Sequence, residues 1–233
     1  MDNIIFSDRM IEIAKCVPKG KRVADIGTDH GYIPIFLASN GISKEIIAMD
    51  VREMPLNKAR ENIKKEGLSE YIETRLSDGF KALSRNEADV CIISGMGCDL
   101  IINIINNGID VVRGLEKMIL SPQTLLYKFR KYLIENKFKI VNEKMLFEDG
   151  KFYTIFEVVN GEEENIYSDA DLKYGKILID RKDKVLKDYL CKEYNKLNKI
   201  NDELEGIDGE EVKERKKELL CELKTINEIL GGF

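Results

Sequence analysis

The chain has 233 residues, 43% of them apolar, enough for one full core with an appendage and too many for wholesale disorder. Its net charge of −5 is unevenly placed: residues 1–160 balance 23 Lys and Arg against 23 Asp and Glu, so the remainder carries the whole excess. Five cysteines (Cys16, Cys91, Cys98, Cys191, Cys221) without a CxxC pair argue against a disulfide framework or structural zinc. With no basic-then-apolar leader and no apolar run near the ~18–20 residues of a membrane span, a cytoplasmic protein with no metal and no membrane partner is expected.

Residues 7–16 read as a short amphipathic helix with Met10, Ile11 and Ala14 on one face and Arg9 elsewhere. After Pro18 and Gly20, short apolar runs alternate with helical ones. Strands are expected at 22–26, 45–50, 71–76, 89–93 and 117–121, and helices near 31–40, 54–66, 97–107 and 124–136. That alternation predicts βαβ units, a parallel sheet and right-handed crossovers. The long β-rich runs 138–147 and 152–159, joined by Glu148-Asp149-Gly150-Lys151, predict an antiparallel hairpin. Five βα units closed by a hairpin make a doubly wound, Rossmann-like α/β sheet of the methyltransferase kind. A dinucleotide dehydrogenase domain would instead finish with a sixth parallel strand.

From about 172 the sequence is charged and helical. Leu186, Leu190, Leu197, Ile200 and Leu204 form one a/d-like seam, and Val212, Leu219, Leu223, Ile226 and Leu230 a second, with Gly206-Ile207-Asp208-Gly209 between them. Two such seams predict an antiparallel helical hairpin of coiled-coil type, made imperfect by Glu193 at one seam position. The expected division is a methyltransferase domain over 1–161 and a helical coiled-coil hairpin over 162–233. A row of lysines (Lys182, Lys184, Lys187, Lys192, Lys196, Lys199) would let the hairpin hold RNA. The other reading is a cover for an apolar patch or a second subunit.

The central motif is Asp25-Ile26-Gly27-Thr28-Asp29-His30-Gly31-Tyr32, after a strand and opening a helix. In open α/β sheets ligands bind outside the carboxyl ends of the strands, where this turn lies. A dinucleotide site wants G-x-G-x-x-G so that amides reach a pyrophosphate. Here the spacing is Asp-x-Gly-x-x-x-Gly, with acids at Asp25 and Asp29. Carboxylates repel phosphate but accept hydrogen bonds from a cationic amino-acid headgroup, which favours S-adenosylmethionine over NAD. Cofactor contacts are therefore expected from Asp25, Gly27, Thr28, Asp29 and Gly31. Asp50, 19 residues beyond Gly31 at a strand end, is placed for ribose hydroxyls, with Val51 beside it. After the third strand, Asp78 with Gly79 suits an adenine amine. After the fourth, Gly95, Met96 and Gly97 allow close backbone approach and an apolar face.

An Asn/Asp-Pro-Pro-aromatic motif, which recognises exocyclic amines, is missing there, and Cys98 follows glycine rather than proline and reads as a packed thiol. What remains is a target with its own lone pair, such as a ring nitrogen. His30, the single histidine, suits either a structural hydrogen bond or substrate contact, and Tyr32 either packing or stacking on a flipped base. Basic residues interleave with aromatics at Tyr127, Lys128, Phe129, Arg130, Lys131, Tyr132, Lys137, Phe138 and Lys139. That stretch fits either a phosphate-following helix or a solvated face with an apolar stripe.

ADIGTDHGYIP (24–34), the acid of AMD (48–50), ISGMGCDLI (93–101), LSPQT (120–124) and FEDGKFYTI (147–155) occur in order. Together they resemble the bacterial tRNA (adenine-22-N1) methyltransferases over about residues 6–160, and the helical extension fits that family's shape. One departure is Ser121-Pro122-Gln123, where the family more often shows Gln-Pro-Asn. The resemblance implies methyl transfer from S-adenosylmethionine to N1 of an adenosine in the D-arm of tRNA. The product is a cationic base, so a carboxylate near the ring, Asp29 by position, is expected to stabilise the developing charge, with Tyr32 and His30 the other catalytic candidates. Arg9, Lys128, Arg130 and Lys131 are the expected RNA contacts. The competing expectations are a small-molecule methyltransferase and an RNA-binding module that kept the fold without catalysis.

Overall fold

The apolar runs of the N-terminal part become five parallel strands: β1 (Val23–Ile26), β2 (Ile46–Asp50), β3 (Ile72–Leu76), β4 (Val90–Ser94) and β5 (Lys117–Ser121). The computed structural model describes residues 4–233. All four side chains of β1 are buried, as befits the central strand of a sheet covered on both faces. Helices α2 (Tyr32–Ser39), α3 (Glu53–Lys65), α4 (Cys98–Asn107), α5 (Ile109–Val112) and α6 (Leu126–Glu135) connect the strands, while the β3–β4 connection has none. α2 is apolar nearly all round and correspondingly buried, and its Pro34 lies in the first turn, where a missing N–H costs no helical bond.

The sheet closes with β6 (Phe138–Glu148) and β7 (Lys151–Asn160), in the order β3-β2-β1-β4-β5-β7-β6. β7 runs antiparallel to β5, with Leu120 opposite Phe156, and β6 antiparallel to β7. The hairpin link puts Asp149 and Gly150 at φ 49° and 79°, the pair of positive values that a two-residue turn matching the strand twist requires. The expected doubly wound α/β fold with an antiparallel hairpin is therefore present. The strand order reverses between β1 and β4, which opens a crevice at their carboxyl ends.

Helix α1 (Asp8–Lys15) begins at Ser7, whose hydroxyl accepts the Met10 N–H. Its inner face is rotated from the expected one: Ile13 and Ala14 are buried and Met10 packs on the core, whereas Ile11 stays half-buried. A second correction concerns α6. Phe129 and Leu133 turn toward the core and carry Arg130 in with them. Arg130 is 0% exposed, and its Nε donates to Glu143 Oε1 of β6 at 2.7 Å. It is an internal ion pair and does not face RNA.

The chain divides into two compact units, Met1–Ile166 and Tyr167–Phe233. The second holds a π-helical turn (Asp171–Gly175), α7 (Lys176–Asp180), α8 (Lys184–Glu203) and α9 (Glu210–Gly231). Asp183 caps α8 by accepting the Val185 and Leu186 N–H groups. Leu186, Leu190 and Leu197 of α8 and Leu219, Leu223 and Ile226 of α9 are buried, whereas Ile200, Leu204 and Val212 near the connecting loop are half-buried. Glu193 takes the Lys196 ammonium at 3.1 Å, so the acid at the seam is neutralised within its own helix. The π-helical turn before α7 adds what the seams did not announce: Tyr174 is buried and donates its hydroxyl to Glu222 of α9.

Candidate active site

A cleft of about 470 Å³ lies at the carboxyl ends of β1 to β5. Four carboxylates line it: Asp25 from within β1, Asp29 from the β1–α2 turn, Asp50 from the end of β2, and Asp78 just after β3. The turn between β1 and α2 is pinned by backbone bonds, with the Gly27 and Thr28 N–H groups both donating to Met49 O at 2.8 Å. Asp29 then enters the left-handed region at φ 51°, and its N–H donates to Asp50 Oδ2 at 3.2 Å. Asp50 Oδ1 accepts the Arg52 N–H at 2.9 Å. The Asp50 carboxylate thus ties two loops together and keeps a second acceptor lone pair on each oxygen.

Asp25 is 3% exposed, and burial pushes its carboxyl up to about 7, with the neighbouring Asp50 charge adding to the shift. An ionised Asp25 is costly in this site unless a cation joins it. Gly27 sits at φ 76°, the left-handed region that favours glycine, and its missing Cβ leaves the room that the Met96 methyl occupies, 2.0 Å from where a Cβ would lie. Thr28, Val51, Gly79, Gly95 and Met96 line the cleft as expected. Gly31 and Gly97 do not. Gly31 packs against Ala59 of α3, and Gly97 precedes the first turn of α4, so both shape the elements that flank the cleft.

Tyr32 lines the cleft, and His30 does not: its ring lies parallel to that of Tyr32 at 5.5 Å, beside a neighbouring hollow that includes Met54 and Lys58. His30 Nε2 is 3.8 Å from Asp29 Oδ1, both side chains being well exposed. From α1, Arg9 joins the cleft wall with its guanidinium 4.7 Å from the Tyr153 ring centre and its backbone N–H on Glu148. Arg9 Nε is buried and has no hydrogen-bond partner within the described residues.

The wall after β4 and β5 consists of Ser94, Gly95, Met96, Leu100, Ile104 and Gln123. Its two loops are joined, the Gln123 N–H donating to Met96 O at 2.9 Å and the Gly95 N–H to Ser121 O at 3.3 Å. Gln123, the position of the Ser-Pro-Gln departure, therefore does reach the cleft. Leu125, two residues on, sits at φ 55° and ψ 45°, a conformation that costs an L-residue about 1–2 kcal/mol. Cys98 is buried, and burial raises its thiol pKa, which fits a packed rather than a nucleophilic cysteine. Lys128 and Lys131 lie outside the cleft on α6, exposed, paired with Asp99 at 2.6 Å and Glu135 at 3.8 Å.

Ile13, Leu100, Ile104 and Arg52, which the sequence did not single out, also line the cleft, as does Met10, which it placed only on a helix face. Leu100 and Ile104 are four apart on a helix and read only as a core stripe. Arg52 carried no signal at all. No described helix is long and apolar enough to cross a membrane, and no metal-binding group of His, Cys, Asp or Glu occurs among the described residues.

The family described as "Methyltransferase domain" matches residues 6–156. The tRNA (adenine(22)-N(1))-methyltransferase of Bacillus subtilis (strain 168) is 29% identical over 235 residues, covering 99% of each chain. Two crystal structures of Sp1610 from Streptococcus pneumoniae, one in complex with S-adenosyl-L-methionine, are 33% and 32% identical, with TM-scores of 0.89 and 0.85. Each covers 97% of this chain and is itself covered completely, to 100%. TrmK of M. capricolum, solved with S-adenosyl-homocysteine, is 26% identical with a TM-score of 0.82 over 98% of this chain and 99% of that one.

Proposed function

The chain belongs to the methyltransferase-domain family, among the bacterial tRNA (adenine-22-N1) methyltransferases, and from that premise we propose that it methylates N1 of adenosine 22 in the D-arm of tRNA with S-adenosyl-L-methionine as methyl donor. The observation that carries this reading is the convergence of four carboxylates, and of an arginine whose buried Nε has no hydrogen-bond partner among the described residues, on a single cleft at the switch point of the sheet. The chemistry of that donor set fits the cofactor. Asp25 and Asp29 suit its ammonium group, the spare lone pairs of Asp50 its ribose hydroxyls, and Asp78 its adenine amine. Of the two cations in the cleft walls, Arg52 is 71% exposed and 3.8 Å from Asp50, so Arg9, with its buried Nε, is assigned to the cofactor carboxylate instead of RNA.

When bound, the cofactor supplies an electrophilic methyl. The protein's own contribution is placement. Tyr32 offers a flat ring on which a flipped base can stack, and His30 behind it fixes the ring's plane. Adenine N1 carries its own lone pair, so no general base is needed and orientation supplies most of the rate. The base becomes cationic as the bond forms, and the Asp29 carboxylate, 60% exposed at the cleft edge, is placed to stabilise that charge. The unit Tyr167–Phe233 is proposed as the arm that holds the tRNA, although Lys196 and Lys199 of its lysine row are paired with Glu193 and Glu203. A tRNA substrate supports a cytoplasmic location.

The test is incubation with undermethylated tRNA and labelled S-adenosylmethionine, followed by mapping of the modified nucleotide. Label at N1 of one D-arm adenosine is the expected result. Label only in small molecules would favour the small-molecule reading, and absence of cofactor binding by calorimetry would favour a non-catalytic RNA-binding module.

A further inference from the structure

We propose that Leu125 is a wedge that enters the space left by the target adenosine and keeps the RNA strand open during methylation. The inference rests on the tRNA reading above. N1 lies on the pairing edge of adenine, so a base held in a stem must leave it before the lone pair is reachable, and unstacking it costs free energy. Proteins that open nucleic acids commonly insert an apolar side chain at the base step.

Neither burial nor capping explains why leucine occupies position 125. Its backbone is left-handed, where glycine would be free of strain and asparagine less strained, yet the side chain is 55% exposed and gains little from the core. It stands at the N-cap of α6 and makes no side-chain capping bond, the service that Ser, Thr, Asp or Asn supplies at such a position. A bulky, exposed residue in a strained conformation marks a place where a partner repays the strain.

Its position identifies the partner. Gln123, two residues earlier, lines the cleft, and the bonds from Gln123 to Met96 and from Gly95 to Ser121 hold this loop against its neighbour. Leu125 therefore lies two residues beyond a cleft-lining residue, on the loop that these bonds hold, and Lys128 and Lys131 follow it on α6, both exposed. An apolar tip followed by exposed cations suits a strand of stacked bases with its phosphates. Phosphates can take over the ammonium groups now held by Asp99 and Glu135.

The test compares Leu125→Gly, Leu125→Ala and Leu125→Met on two RNAs under single-turnover conditions: folded tRNA, and a short RNA with the same adenosine in an unpaired loop. Leu125→Gly also relieves the backbone strain, and a parent-like melting temperature for that variant excludes a folding defect. Removing the wedge should slow methylation of folded tRNA about tenfold or more in the Gly and Ala variants, with Leu125→Met close to the parent. On the unpaired RNA, and in S-adenosylmethionine affinity, all three should stay within about twofold. Parent-like rates of Leu125→Gly on folded tRNA would overturn the proposal, as would equal losses on both RNAs. A parent chain that methylates neither RNA would bring down the functional reading itself, and that outcome is visible before any substitution is made.

Discussion

The two walls of the cleft are made of different material. The wall that follows β1, β2 and β3 carries four carboxylates; Asp25 and Asp50 are buried, and Asp50 accepts the backbone N–H groups of Asp29 and Arg52 from two loops. The wall that follows β4 and β5 contributes no ionised side chain to the cleft, only Ser94, Gly95, Met96, Leu100, Ile104 and Gln123. Beyond it stands the strained, exposed Leu125. A small cationic ligand is held by fixed charges in a low-dielectric pocket, where each interaction is strong and needs no rearrangement. A neutral base arriving on a macromolecule needs room, an apolar surface and an open rim. On the proposed reading, one wall is built for the cofactor and the other for the substrate.

The largest effect is expected away from both walls, at the buried ion pair between α6 and β6. Arg130→Met leaves Glu143 buried without its partner, which should cost about 3–5 kcal/mol of stability. Thermal unfolding should show a large loss, and joint replacement of Arg130 and Glu143 by apolar residues should recover most of it. A variant that keeps its melting temperature and loses only tRNA affinity would return Arg130 to the RNA face.

Next comes the charged wall. Asp50→Ala should weaken S-adenosylmethionine by about 1.5–3 kcal/mol, measured by calorimetry, because it removes a charged acceptor and unties two loops. Gln123→Ala, on the opposite wall, should change cofactor affinity far less. Equal losses would erase the distinction between the walls.

Arg9 gives a sharper cut at about 1.5 kcal/mol, the low end for a hydrogen bond to a charged group. Arg9→Ala should weaken S-adenosylhomocysteine by that amount and leave 5′-methylthioadenosine, which has no carboxylate, unaffected. Unchanged binding of both ligands together with poorer tRNA binding would assign Arg9 to RNA.

The smallest effect is a pH dependence. Asp25 titrates near 7 in the folded protein, above its ordinary value, so its protonation below that pH removes the charge proposed to meet the cofactor ammonium. Cofactor affinity should fall by up to about tenfold between pH 8 and pH 6, and Asp25→Asn should flatten that profile. Stability runs the other way. A raised carboxyl pKa favours the folded state in acid, and that contribution is lost as the pH rises from about 4 through about 7. A parent profile as flat as that of the Asn variant would remove Asp25 from the headgroup site.

The sequence determined the elements and the first wall. Alternating short apolar runs specify parallel strands, Asp149-Gly150 specifies the hairpin turn, and Asp25, Gly27 and Asp50 are fixed by spacing within consecutive βα units. Those signals are local, and the sheet's topology brings strand ends together without further instruction. Tertiary structure decided which way each helix is rotated and which atoms lack partners. Phe129 and Leu133 turned Arg130 inward to meet a glutamate thirteen residues away on another element, so a residue that reads as basic surface became core. Gly31 and Gly97 match the motif, yet their positions relative to α3 and α4 place them outside the cleft. Leu125 looks like an ordinary helix residue until its dihedral angles are known. Composition and spacing report what a segment prefers by itself, whereas helix rotation, strain and the fate of a buried charge depend on contacts with distant segments that exist only once the chain has folded.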